Sequence, residues 1–228
     1  MHDETKPTGS TPGEDLSGLL RSNLIDKRER DAAELQSIAQ AYDIHVFRAR
    51  RKKSGSEWLT EPFVRQVHRD MFAGIWDWAG RYRTSSLNIG IDFHFIAEQV
   101  ARLCGDFRFW DSPESKMTPV EIAARLQNRL TRIHPFTNGN GRHARLMTDV
   151  FFHSRGLALP KWPQLQLMPQ GDVVRRHYIS AMKIADDEDY SELMTFIEYC
   201  WGEPKKLYSI RGTPQRDAAH DEQQPLFP

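Results

Sequence analysis

The chain has only two cysteines in 228 residues, Cys104 and Cys200, far apart and each set among apolar or aromatic neighbours. Two thiols without paired spacing exclude a disulfide-stapled scaffold and a cysteine-based zinc site. One Cys104–Cys200 bridge or two buried free thiols are left, and free thiols in a reducing cytosol are the expectation. An excess of one charge is missing as well: Lys plus Arg and Asp plus Glu each total 31. No net field therefore draws the chain to nucleic acid or to an anionic membrane. The short basic runs at residues 48–53 and at Arg175 and Arg176 read as solvated helix faces, and no nucleic-acid reading motif is present, so nucleic acid is not an expected partner. No apolar run reaches bilayer length, and the polar start of the chain has no secretory core, so no membrane role is expected and the expected compartment is the cytoplasm. Repeats and Gly/Ser linkers are absent too, which argues for one domain.

What is present describes a globular protein: 39% hydrophobic, 27% charged and 11% aromatic residues. Residues 1–16 and 205–228, rich in Pro, Gly and polar residues, read as mobile tails around a single domain at 17–204. Inside it the apolar residues recur at helical spacing. Leu35, Ile38, Ala39, Tyr42 and Val46 predict one helix; Thr60 and Pro62 open another that carries Phe63, Val67 and Met71. A third is predicted over residues 95–110. Thr118, Pro119 and Glu121 form a capping box before the stripe Ile122, Leu126, Leu130, Ile133. Leu146, Met147, Val150 and Phe151 mark the next helix, stopped by Gly156, and two more are predicted at 173–185 and 190–201. Trp76, Trp78 and Trp201 are read as core. Only residues 81–90, with Tyr82, Thr84 and Ile89, look strand-like. The expected fold is all-α with a short β-hairpin flap.

The segment His134-Pro135-Phe136-Thr137-Asn138-Gly139-Asn140-Gly141-Arg142-His143-Ala144-Arg145 lies between two predicted helices. Closely spaced glycines where a helix begins let backbone N–H groups face an anion, and the helix dipole adds to the attraction. Arg142 and Arg145 project from roughly one side and can each grip phosphate oxygens at two points. His134 stands at the rim and titrates near neutrality, as a general base does. A Gly-Asn-Gly turn alone is often only a helix connection; base, glycines and both arginines within twelve residues make a polyphosphate cradle the better reading. Phe136 reads as a hydrophobic anchor for the loop and His143 as a surface or packing residue.

This segment resembles the signature of the Fic (Fido) family, His-Pro-Phe-x-(Asp or Glu)-Gly-Asn-Gly-Arg-x-x-Arg. The likeness extends upstream through Val67-His68-Arg69-Asp70-Met71-Phe72 and Trp76-Asp77-Trp78-Ala79-Gly80-Arg81-Tyr82-Arg83, covering roughly residues 58–160. Asn88-Ile89-Gly90 and the form of the signature look closest to the subgroup called mobile mystery protein B. The resemblance implies a Fic-type helical bundle that transfers AMP from ATP to a hydroxyl of a target protein, a toxin-like activity being one form of this. It implies that His134 deprotonates the hydroxyl, and that Gly139, Asn140 and Gly141 hold the α- and β-phosphates. Arg142 then binds the β-phosphate region, Arg145 the terminal phosphate, and Phe136 pins the loop. Arg83, Thr84, Ser85, Ser86, Leu87, Asn88 and Ile89 become a flap on which the target docks by strand addition.

Asn138 departs from the pattern. The family has an acid there that holds Mg²⁺ (or Mn²⁺) on the phosphates; an amide oxygen still ligates but brings no charge, so weaker metal binding is expected at Asn138. The family's inhibitory helix, Ser/Thr-x-x-x-Glu-Gly/Asn, has no good counterpart either. Residues 10–15 come nearest and contain Pro12 and Gly13. Restraint by a separate antitoxin-like or regulatory protein is the expectation instead. Two rival readings stand beside AMP transfer: transfer of UMP, GMP or phosphate, and a Fic-like module that binds nucleotide without turnover. Phosphate transfer is disfavoured by the second glycine and second arginine of the signature, both present here and lacking in the family's kinase-like members, as the resemblance implies.

Overall fold

Capping side chains set where the helices of this chain begin. Asp26 Oδ1 accepts the backbone N–H groups of Arg28 and Glu29 at 2.8 and 3.1 Å. Thr60 and Thr118 accept those of Phe63 and Glu121, each with a proline in the first turn, where its missing N–H leaves no bond unmade. The resulting helices, in a computed structural model that describes residues 15–49, 56–163 and 173–202, are α1 (Lys27–Ala49), α2 (Glu61–Phe72), α3 (Ile96–Trp110), α4 (Pro119–Ile133), α5 (Asn140–Ser154), α6 (Val173–Ala185) and α7 (Ser191–Cys200). Single 3-10 turns at Ser56–Trp58 and Phe93–Phe95 lead into α2 and α3. Residues 1–14 and 203–228, which hold nearly all of both expected tails and all of the 10–15 stretch but Asp15, lie outside the described residues.

Helix α4 is the centre, packed against α3, α5, α6 and α7, while α1 lies across α2 and α5. Its predicted stripe Ile122, Leu126, Leu130 and Ile133 is buried. Each such side chain contributes on the order of 1.5–3 kcal/mol through water exclusion. The α1 stripe differs from the expected one: Leu35 is 69% exposed, and Ala39 is exposed too. Val46 is buried and Ile38 and Tyr42 pack on the core as expected, but the other buried positions of α1 are Arg30, Glu34, Ala41 and His45. Arg30 donates to the carbonyls of Leu24 and Ile25. Cys104 and Cys200 are free and buried, and among the described residues no helix is long and apolar enough to cross a membrane. Trp76 and Trp78 lie in the core, their rings stacked at 5.1 Å, and Trp201 is half-buried with its indole N–H on the Ala158 carbonyl.

The expected hairpin at 81–90 does not form; among the described residues there are only two isolated antiparallel bridges, Leu19 with Trp76 and Tyr82 with Phe136. The reason is Arg83. Its guanidinium donates to the carbonyls of His134 and Ser85, each at 2.8 Å, and to that of Ile91. Carbonyls so engaged are not left to a cross-strand ladder, and the segment folds back as an irregular loop over the end of α4.

Candidate active site

The turn between α4 and α5 is held from both sides. Asn140 closes it internally: its Oδ1 accepts the Phe136 N–H at 2.9 Å and its Nδ2 donates to the Phe136 carbonyl at 2.8 Å. Phe136 is fully buried, its ring stacked on His68 of α2 at 3.6 Å and edge-on to His143 at 5.1 Å. The Gly80 N–H donates to His68 Nδ1, so His68 Nε2 carries the proton that it donates to the Asn138 carbonyl. Gly139 opens α5 with φ of +77°, and a Cβ there would sit 2.4 Å from the Phe72 ring. Only glycine fits. Gly141 is different, since a Cβ on it would meet nothing nearer than Arg145 Nη1, at 3.7 Å. The fold itself does not demand that second glycine.

His134 caps α4 in the left-handed conformation, φ 51°, which a non-glycine residue rarely adopts. Arg83 fixes its carbonyl, the Arg83 N–H donates to the next carbonyl, that of Pro135, and Gly90 (φ +89°) lies so close that a Cβ would sit 2.5 Å from that of His134. The His134 Nδ1 faces the Thr131 carbonyl at 3.3 Å. A carbonyl only accepts, so this contact places the proton on Nδ1 and leaves a lone pair on Nε2. That Nε2 is buried without a hydrogen-bond partner. Burial holds the imidazole down at about 4, with the Thr131 carbonyl opposing and the Arg83 charge assisting. The ring is therefore neutral at physiological pH, with its Nε2 buried.

The two arginines of the segment point to different neighbours. Arg142 lies over the Phe72 ring at 5.0 Å and pairs with Glu34 of α1 at 2.6 Å; the same carboxylate accepts the Trp76 indole N–H at 2.7 Å. Arg145 is 8% exposed, runs over Gly141, and keeps a buried Nε without a partner. Its nearest acid on the helix is Asp149, which accepts from Trp162 at 2.9 Å and whose carboxyl burial pushes up to about 7.

Asn138 does not fit a magnesium ligand. Its side chain is a neutral amide whose Oδ1 already accepts the Gly139 N–H at 2.7 Å, whereas Mg²⁺ demands hard, usually anionic oxygens in near-ideal geometry. Among the described residues no group of three or more His, Cys, Asp or Glu is placed to hold a metal.

Of the seven residues of the expected docking flap, Arg83 turns inward and clamps the loop instead of facing a target. Thr84, Ser85, Ser86 and Asn88 are exposed, while Leu87 and Ile89 are half-buried. Asn140 likewise commits its side chain to Phe136, leaving its backbone N–H as what faces α5's N-terminus. His143 is buried and makes a hydrogen bond to the Val64 carbonyl. Sequence reasoning missed Glu34, His68 and Arg83 as positioning groups. A faint signal existed only for His68, inside the upstream stretch of the resemblance.

Residues 58–152 match the family model described as "Fic/DOC family". Among curated proteins the chain is 31% identical over 123 residues to "Protein adenylyltransferase fic-1" of Caenorhabditis elegans, a match covering 53% of this chain and 22% of that protein. It is 29% identical over 131 residues to "Protein adenylyltransferase Fic" of Drosophila ananassae, covering 57% and 25%. These matches thus span about a quarter or less of the relatives' own lengths. A solved Fic-domain-containing signalling protein of Bacteroides thetaiotaomicron superposes with a TM-score of 0.60 at 21% identity, over 76% of this chain and 68% of that one. Fic-1 of C. elegans does so with 0.58 at 20%, over 80% and 52%; both show the shared helical fold.

Proposed function

We propose that the chain is a Fic-type protein adenylyltransferase that moves AMP from ATP to a hydroxyl side chain of a target protein, a reading supported by the match of residues 58–152 to the Fic/DOC family model. The nematode and fly relatives carry that activity in their names. The observation that carries the reading here is the His134 imidazole: neutral, its Nδ1 on the Thr131 carbonyl and its Nε2 without a partner, one short turn from the start of α5. A base must present a lone pair, and this one has no other acceptor's work to do.

In this scheme the target hydroxyl enters over His134 and gives its proton to Nε2. Its oxygen attacks the α-phosphorus, and the bond to the pyrophosphate oxygen breaks in line. The backbone N–H groups of Gly139, Asn140 and Gly141 face the phosphates, helped by the dipole of α5. The open space over Gly141 suits close approach of a phosphate beneath Arg145. Arg142 takes part by exchanging Glu34 for a phosphate oxygen. Catalysis is then positioning plus charge neutralisation by guanidinium groups. ATP is the substrate and brings its own Mg²⁺ or Mn²⁺ counter-ion; no residue of the chain is assigned to the ion. The exposed residues Thr84, Ser85, Ser86 and Asn88 are the surface proposed to meet the target. A cytoplasmic setting suits ATP and free thiols. A separate antitoxin-like or regulatory protein is the proposed restraint. Within the family the chain sits nearest mobile mystery protein B, on Asn88-Ile89-Gly90 and the form of the signature.

A second reading, a nucleotide-binding module without turnover, is favoured by one observation, the committed amide at Asn138. Intact-mass analysis after incubation with ATP and Mg²⁺ or Mn²⁺ separates the two. A self-modification of adenylyl size, absent in His134→Ala, supports transfer. Nucleotide bound with no covalent gain on the chain or on candidate targets supports the module.

A further inference from the structure

We propose that the loop at the start of α5 grips its phosphates as a free polyanion, so that the chain takes metal-free ATP as tightly as the magnesium complex or tighter. The inference rests on the proposed nucleotide function. Asn138 is where the chain departs from the metal-bridged arrangement that the resemblance implies. Its side chain is exposed, and among the described residues it makes one hydrogen bond, in which Oδ1 accepts the Gly139 N–H at 2.7 Å. That donor settles which end of the amide is the oxygen. A polarised proton therefore stands against the oxygen that a cation would have to approach. The other end of the amide carries two N–H donors, which repel a cation and attract an anion.

The surroundings carry the same sign. The first turn of α5 holds no acidic residue, so the positive end of the helix dipole is uncompensated there. Arg142 and Arg145 follow on the same helix. The buried acids Glu34 and Asp149 are both committed: Glu34 to Arg142 and the Trp76 indole, and Asp149, more than two turns into α5, to the Trp162 indole. The charge that a divalent ion would bring to the phosphates is thus supplied by guanidinium groups, a helix end and an amide. When a phosphate arrives, one of its oxygens takes the Gly139 N–H in place of Oδ1. The exposed amide then turns about its Cβ–Cγ bond and gives an Nδ2–H to the same anion. An aspartate at this position would act in the opposite sense. Its carboxylate would hold the Gly139 N–H and repel the phosphates unless a cation lay between them.

The test is calorimetric titration of the full chain with ATP and with inorganic tripolyphosphate, each in EDTA and in excess Mg²⁺, for the wild type and Asn138→Asp, with a melting curve for both proteins. Aspartate keeps an oxygen for the Gly139 N–H, so the two melts are expected to agree; if the variant melts early, the wild-type titrations decide alone. On the wild type, ATP in EDTA is expected to bind within about threefold of ATP in Mg²⁺, or tighter. Asn138→Asp is expected to lose roughly tenfold for ATP in EDTA, the effect of one like charge close to the phosphates, and to regain it in Mg²⁺. Mg²⁺ that tightens ATP on the wild type by more than about threefold overturns the inference, and so does a folded Asn138→Asp that matches the wild type in EDTA. Tripolyphosphate taken up in EDTA by a protein that ignores ATP keeps the metal-free grip and sinks the nucleotide reading. ATP held only in Mg²⁺ does the reverse. Neither polyanion bound in either buffer overturns both.

Discussion

His134 shows how backbone and side chain together make a base. The left-handed cap turns the residue off the axis of α4, the Thr131 carbonyl selects the tautomer, and burial suppresses the charged form. Because its pKa lies near 4, the imidazole is unprotonated at every pH above that, and as buried here it is a weaker base than free imidazole. The pH profile of kcat/KM is therefore expected to keep its acid limb well below pH 6; a limb at the usual 6.5 of free imidazole would mean an exposed ring. Replacing His134 by Ala should lower transfer roughly 10²- to 10⁴-fold, the usual worth of a positioned base, without weakening ATP binding. Asn140 is the other indispensable single residue. Asn140→Ala leaves the Phe136 N–H and carbonyl unpartnered in the core, and should lower stability by about 2–4 kcal/mol in denaturant titration. The grouping of base, glycines and arginines was legible in the sequence because they lie within one loop; the Asn140 bonds to Phe136 and the burial of His134 were not. The direction of Arg83 was not: an arginine in a polar stretch reads as solvated, and only the folded end of α4 supplies the carbonyls that draw it in.

At the scale of elements, the pairing of α1 with α5 bears on the nucleotide. Glu34 and Arg142 are 108 residues apart, a separation no spacing argument reaches, and the apolar periodicity of α1 pointed to Leu35 on the neighbouring face. The Glu34 carboxylate pairs with the Arg142 guanidinium, which the proposed scheme gives to the phosphates. Glu34→Gln keeps an acceptor for the Trp76 indole and removes the charge, so ATP affinity measured by titration is expected to rise several-fold; a fall would show that Glu34 orients Arg142 for the nucleotide. The predicted caps at Thr60 and Thr118 and the α4 stripe came through because capping and amphipathic spacing are local rules. The hairpin did not, since the Arg83 guanidinium inside the segment binds the carbonyls of Ser85, Ile91 and His134 and draws it onto the end of α4.

For the whole molecule, the buried Asp149 couples stability to pH. Its folded-state pKa of about 7 lies above the roughly 3.9 of an unfolded aspartate. The unfolded chain therefore loses that proton first, and the group destabilises the fold increasingly as pH rises from about 4 to about 7, then by a constant amount. Asp149→Asn, which retains an oxygen for the Trp162 indole, is expected to raise the melting temperature more at pH 8 than at pH 4.5; an equal gain at both would rule out ionisation of Asp149 as the cause. The helices around α4 bring two distant groups to one loop: a carboxylate from α1 and an imidazole from α2. The most direct test is a crystal structure with a non-hydrolysable ATP analogue. Phosphates are expected over Gly139, Asn140 and Gly141, with the α-phosphorus one hydroxyl oxygen away from His134 Nε2. A triphosphate bound elsewhere, or an Nε2 still buried with the analogue in place, would contradict this arrangement.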